Sequence, residues 1–275
     1  MNQAEIIKKS KGHRLRKWEN MDHLILGAQL YTVRELIASK SYEEVYAVLE
    51  EIKKIGYNSV QISGIGEITK ELALTYKEIC AKLNIDINAT HISYEFLKNQ
   101  MNWVIEYHKM WNCSYVGIGS MPEEFRSFDE ARTFALECNQ YGKTLSESGL
   151  KLIYHNHNFE FEKFDKLTIM DCLYKTFDPR YVQFEIDTYW IQAGGCNPEE
   201  WIYKVDKRMD VVHFKDYQMK GNEPRFCEIG EGNLNWNNII KACKETAVKY
   251  VFVEQDSFTD DPIASLRLSY EFLAE

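Results

Sequence analysis

Eight short apolar runs, at residues 24–30, 59–62, 85–91, 115–118, 150–155, 182–187, 211–214 and 250–254, alternate with longer stretches of helical pattern from residue 24 to the end. Helical periodicity covers 42–55, 70–83, 129–147 and 237–248, several with acidic residues early or lysines late, as the helix dipole favours. Eight strands in strict alternation with helices predict a single closed parallel (β/α)8 barrel of the α/β class rather than an open sheet. A chain of 275 residues suits one such unit. No Pro/Gly/Ser-rich linker or low-complexity tract breaks it, so residues 21–275 read as one barrel domain. Residues 1–20 carry Lys8, Lys9, Lys11, Arg14, Arg16 and Lys17 and read as a basic arm, packed outside the barrel or solvated, with no chemistry assigned.

Charge and cysteine usage narrow the partners. Lys plus Arg number 33 against 42 Asp plus Glu, a net charge of -9, which repels a polyanion. Nucleic acid is therefore disfavoured. The seven cysteines include no C-x-x-C pair and read as reduced, mostly buried thiols, with Cys196 and Cys227 as bystanders to any metal. The basic start lacks a following apolar signal core, and no window approaches 18 uninterrupted apolar residues. The expected setting is the cytoplasm, with no membrane partner; a homo-oligomer stays open.

In a parallel barrel the active-site mouth lies at the carboxyl ends of the strands. Those ends are polar here. Strand 1 closes on Gln29 and Tyr31, strand 3 on His91, strand 5 on His155-Asn156-His157, and strand 6 on Glu185 and Asp187. Strand 7 closes on His213 and Lys215, and strand 8 on Glu254 and Asp256. Strand alternation puts His155 with His157, Glu185 with Asp187, and His213 with Lys215 on common faces. A divalent metal needs three or four N or O ligands converging from different elements. Asp187, His213 and Glu254 form the centre of such a set, and the strand-5 cluster supplies a fourth ligand, assigned to His155.

These residues lie in YHNHNFEF (154–161), EIDTYW (185–190), VVHFKD (211–216), IGEGNLNW (229–236) and VFVEQD (251–256). Over residues 24–275 the chain resembles the xylose isomerase-like TIM-barrel superfamily, the group labelled sugar phosphate isomerase/epimerase. The resemblance implies a divalent manganese, magnesium or zinc ion that polarises a carbonyl or hydroxyl pair of a sugar-like substrate. Epimerases of the superfamily end strand 5 in a Glu that is both ligand and acid/base; His155 or His157 stands there in this chain. Histidine-rich strand-5 ends also occur in the inosose dehydratase-like branch, which makes a lyase the competing reading. THISY (90–94) resembles a segment of the endonuclease IV branch, in which His91 is a metal ligand by position. Strand 4, however, ends in YVGIGS (115–120), without that branch's ligating His.

The expected activity is a metal-dependent sugar or keto-sugar isomerase or epimerase that removes a proton next to a carbonyl. Glu254 is cast as ligand and base, His155 or Glu160 as the opposing acid/base, and Lys215 as an electrophilic or anchoring group. Substrate contacts are expected from Tyr31, His91, His157, Trp190, Arg225 and Glu231, with Trp236 as a further flat wall. The segment 217–233 reads as a flexible Gly-rich cover. No Gly-rich turn with basic residues follows strand 8, so a neutral sugar, keto sugar or cyclitol is favoured over a sugar phosphate. A barrel that binds sugar without catalysis is the reading from another class.

Overall fold

The computed structural model describes residues 24–258 and 261–274, so the basic segment 1–20 lies outside the described residues. Eight parallel strands close the barrel: β1 (Ile25–Gln29), β2 (Ser59–Ile62), β3 (Asp86–Ile92), β4 (Tyr115–Ile118), β5 (Lys151–His155), β6 (Val182–Asp187), β7 (Val211–Phe214) and β8 (Tyr250–Val253). Neighbours in chain order pair all the way round, and β8 returns to β1 with Ile25 opposite Tyr250 and Ala28 opposite Val253. β2, β4 and β7 are buried at every position, because one face packs on helices and the other fills the barrel. Two short antiparallel ladders lie outside the barrel, Lys163–Phe164 with Leu167–Thr168 and Asp216–Lys220 with Glu223–Cys227.

The helices start where their side chains can satisfy the first backbone N–H groups. Ser41 and Glu44 form a reciprocal cap on helix Tyr42–Ile55, whose Val45, Leu49 and Ile52 turn to the barrel. Thr69 caps Lys70–Leu83 and Ser127 caps Phe128–Glu147, each cap worth about 1 kcal/mol. The helix expected over 237–248 runs Trp236–Glu245; Thr246 is extended and Ala247 donates to Asp206 at 3.0 Å, which frees the chain to enter β8. All seven cysteines are unpaired, six of them buried. Among the described residues no helix is long and apolar enough to cross a membrane.

Inside the barrel, Ala89, Tyr115, Ile153, Val211 and Phe252 make an apolar layer. Below it Asp210 gathers the Tyr115 hydroxyl at 2.8 Å and the Lys151 ammonium at 2.6 Å, tying the amino-terminal end of the barrel. Packing above the layer depends on Gly117. A Cβ there would lie 2.3 Å from the Thr90 carbonyl oxygen and 2.7 Å from the His91 ring, so the β3 backbone would have to move. Gly117→Ala is expected to cost about 1–3 kcal/mol by overpacking, read as a lower urea midpoint with an unchanged slope.

A candidate metal centre at the barrel mouth

The register that closes the barrel also assembles the polar cluster. His155 on β5 stands opposite Glu185 on β6, Asp187 opposite His213 on β7, and His213 opposite Phe252 on β8, two residues before Glu254. Asp187 is both the last residue of β6 and the cap of helix Thr188–Ala193. Its Oδ1 accepts from the Trp190 amide at 2.9 Å, which leaves Oδ2 facing the His155 Nε2 at 3.3 Å and the His213 Nδ1 at 3.8 Å. Glu254 Oε2 completes the group, 3.1 Å from His213 Nδ1. The four donor atoms, all buried, lie within 4.8 Å of one another. Donors about 3.4 Å apart are what a tetrahedral ion with bonds near 2.1 Å requires.

The chemistry of the donors favours a cation between them. His155 Nδ1 faces the Gly119 carbonyl oxygen at 3.1 Å and must carry the proton there, so Nε2 turns a lone pair on Asp187. His213 Nε2 faces two acceptors, Gln61 Oε1 at 2.6 Å and Glu185 Oε1 at 3.2 Å, so Nδ1 turns a lone pair on Glu254. Lone pairs face carboxylates unless a proton or an ion lies between. Without an ion a proton serves: against the desolvation of burial, Glu185 and Glu254 hold the His213 imidazole up at about 10. The set His155, Asp187, His213 and Glu254 thus fits a divalent ion, and His213 would take it through Nδ1.

Lys215, wholly buried, lies 2.6 Å from Asp256, 3.1 Å from Glu254 and 3.8 Å from Asp187. In spite of burial, these carboxylates raise its pKa. Burial and the neighbouring Glu254 charge push Asp187 and Asp256 upward, opposed by Lys215. Lys215→Met strands these acids and is expected to cost the metal-free protein about 3–5 kcal/mol at neutral pH. The deficit should shrink as pH falls, since protonation of Asp187 and Asp256 removes the repulsion; urea denaturation across pH 5–8 checks both size and sign.

A cavity of about 590 Å³ opens above the cluster. Its polar floor includes His91, His155, Lys215 and Glu254, and its apolar wall includes Ile65 from the loop after β2 and Phe96 from the short helix Tyr94–Asn99 after β3. Tyr31 stands at the rim with the Arg34 guanidinium 4.2 Å from its ring, and His157 lines the wall with Nδ1 lacking a partner. Asp256, named with Glu254 at the end of strand 8 but given no role from the sequence, also lines the cavity.

Other expected positions need correction. Glu160 does not face the cavity: its oxygens accept from the Tyr154 hydroxyl at 2.5 Å and the His157 amide at 2.9 Å, so it braces the loop after β5. Trp190 packs against His157, ring centres 5.1 Å apart, and beneath the Lys215 ammonium, outside the lining. Trp236 is buried against Phe214 and donates to Asp216 at 2.7 Å. Arg225 and Glu231 border a separate polar hollow with Gln255 and Ser257.

The expected flexible cover contains the paired hairpin Asp216–Lys220 and Glu223–Cys227, whose Phe226 packs against Tyr189 with tilted rings, centres 4.2 Å apart. Behind it the Asp216 carboxylate accepts from the amides of Gly230 at 2.8 Å, Gly232 at 3.1 Å and Leu234 at 3.4 Å. The amides of the IGEGNL turn that a phosphate would need are thereby occupied. Sequence reasoning gave no role to Gln61 or Glu185, which lie under the centre. Their one signal is polarity inside otherwise apolar strands.

Comparison with known proteins agrees with this architecture. A family model described as xylose isomerase-like TIM barrel matches residues 49–275. The inosose dehydratase of Clostridium perfringens (strain 13 / Type A) is 25% identical over 169 residues, 53% of this chain and 53% of that protein, so the chain spans about half the length of the curated relative it matches. A sugar phosphate isomerase/epimerase from Parabacteroides distasonis superposes with a TM-score of 0.75 at 24% identity, over 90% of this chain and 97% of that one. A xylose isomerase-like TIM-barrel protein from Mycobacterium smegmatis, in complex with magnesium, gives 0.71 at 12% identity, over 91% and 95%. At these identities the two structures establish likeness of fold.

Proposed function

The chain belongs to the xylose isomerase-like TIM-barrel family, and we propose on that basis that it is a divalent-metal-dependent isomerase or epimerase of an unphosphorylated sugar or keto-sugar. The reaction is proton transfer at the carbon next to a carbonyl. The observation that carries the reading is the convergence of His155, Asp187, His213 and Glu254 on one point of the cavity floor, beside the Lys215 ammonium. A bound ion supplies charge stabilisation at the substrate's carbonyl and hydroxyl oxygens.

The remaining steps belong to the chain. Although burial opposes ionisation, Lys215 and His213 hold the Glu254 carboxyl well below the usual range, so it is a carboxylate at neutral pH, the form in which a general base must stand. Lys215 anchors a substrate oxygen and offsets the charge growing on it. With Glu160 turned away, the second proton-handling position on the β5 side falls to His157, the other β5-side histidine that lines the cavity with His155. Two features support an unphosphorylated substrate: Asp216 occupies the amides of the turn after the hairpin, and Lys215 is already paired with Asp256.

A second reading, an inosose dehydratase-like lyase, is favoured by the His155-Asn156-His157 end of β5 and by the Clostridium perfringens relative. The shared first step is loss of the proton; the lyase then expels a hydroxyl as water. A panel of keto sugars and inososes, free and phosphorylated, offered to protein loaded with Mn, Mg or Zn separates the readings by product. Recovery of an isomer from an unphosphorylated substrate is expected. Loss of water moves the assignment to the lyase, and turnover confined to phosphorylated sugars contradicts the substrate class.

A further inference from the structure

Beneath the four candidate ligands lies a carboxylate that neither contacts the cavity nor belongs to that set. Glu185 is wholly buried in β6, two residues before its mouth end at Asp187. Its Oε1 accepts from Gln61 Nε2 at 2.9 Å and lies 3.2 Å from His213 Nε2, and its Oε2 bonds His91 Nε2. An ionised carboxylate can only accept hydrogen bonds, and that restriction propagates. Because Glu185 accepts, Gln61 must present its NH2 group to it. The Gln61 carbonyl then faces His213 Nε2 at 2.6 Å. Facing acceptors from both Gln61 and Glu185, Nε2 must carry hydrogen, and the lone pair of the neutral ring falls on Nδ1, the side of Glu254 and Asp187. His91, whose Nδ1 lies 3.4 Å from Gln29 Nε2, is fixed by the same carboxylate from β3.

We propose that Glu185 is the positioning residue of this centre: through Gln61 it sets the His213 tautomer that offers Nδ1 to a metal ion, and it locks His91 in the cavity floor. The proposal rests on the metal reading above. Outer partners of this kind orient a ligating histidine and raise its basicity, and their loss weakens metal affinity by about 10–100-fold. Glu185→Gln is nearly isosteric but brings an NH2 group, so its amide can donate toward Gln61 or His91 and the chain of forced orientations is broken.

The experiment uses Mn2+ and Zn2+ as probes on the full chain, with affinity measured by chelator competition and ring tautomers by long-range 1H–15N NMR of the zinc-loaded protein. Wild type should bind, with His213 metallated through Nδ1 and protonated at Nε2. Glu185→Gln should bind about 10–100-fold more weakly and lose the single His213 tautomer. If Glu185 is only a structural hydrogen-bond partner, the variant will lose melting temperature while its folded fraction keeps wild-type affinity and tautomer, and the proposal fails. The wild-type spectrum decides even if the variant does not fold, since metallation of His213 through Nε2 overturns it. A wild type that takes up neither ion overturns the centre itself, a result distinct from equal binding by both proteins.

Discussion

In Asp187→Asn the protein should stay folded and lose its ion. Asparagine keeps a side-chain oxygen able to cap helix Thr188–Ala193, as Asp187 Oδ1 does for the Trp190 amide, so the local structure has no reason to collapse. The change removes the negative charge that Oδ2 presents to His155 and His213. Loss of a direct ligand should exceed the about 10–100-fold penalty for loss of an outer partner, leaving the variant free of metal after dialysis. The metal-free protein gives a second signature. Burial and the Glu254 charge raise Asp187 to about 6, opposed by Lys215. A carboxyl raised in the folded state contributes stability at low pH that is lost as pH rises through its folded value. The asparagine variant escapes that loss, so it should be more stable than metal-free wild type above about pH 6 and gain nothing from added ion. Elemental analysis and urea denaturation with and without Mn2+ test both parts; unchanged metal content would remove Asp187 from the ligand set.

Glu254→Gln separates binding from chemistry. The amide oxygen can still face a metal ion, but it cannot take up a proton at neutral pH. Proton transfer by a positioned side chain contributes about 10²–10⁴-fold, so at Mn2+ concentrations high enough to load the weakened site turnover should still fall by that factor. The variant also alters the charge around Lys215, which keeps Asp256 at 2.6 Å and Asp187 at 3.8 Å. Lys215 therefore remains paired, and the fold should survive. Undiminished turnover in the metal-loaded variant would pass the role of base to another group, with Asp256 a further carboxylate in the cavity lining.

The barrel was legible because its strands are buried on both faces and read as nearly unbroken apolar runs. The expected runs at 59–62, 115–118, 182–187 and 211–214 coincide with β2, β4, β6 and β7. Boundaries moved where local hydrogen bonding decides them, as at Thr246. Asp187, His213 and Glu254 stood out as polar residues at the mouth-facing ends of such runs, and barrel closure brings them together with His155. Gln61 and Glu185 are 124 residues apart and meet only when the barrel closes, so no local pattern announced their contact. Glu160 misled because a loop acid and a buried brace look alike in sequence; what distinguishes it is the pair of donors from Tyr154 and His157. The cover misled for a similar reason. Glycines that suggest mobility are instead gathered by one carboxylate, and a Cβ on Gly232 would lie 2.3 Å from Asp216 Oδ1.

Metal-assisted removal of a carbon-bound proton leaves a direct trace in solvent deuterium incorporation. Wild-type protein loaded with Mn2+ is incubated in heavy water with unphosphorylated keto sugars and inososes, and deuterium at the carbon next to the carbonyl is followed by NMR in recovered substrate and product. Incorporation is expected with the loaded protein, together with its loss on chelation and its return on adding the ion back. Incorporation that persists in the chelated protein, or product formed by the loaded protein with no solvent deuterium at that carbon even in trace, would contradict metal-assisted proton removal.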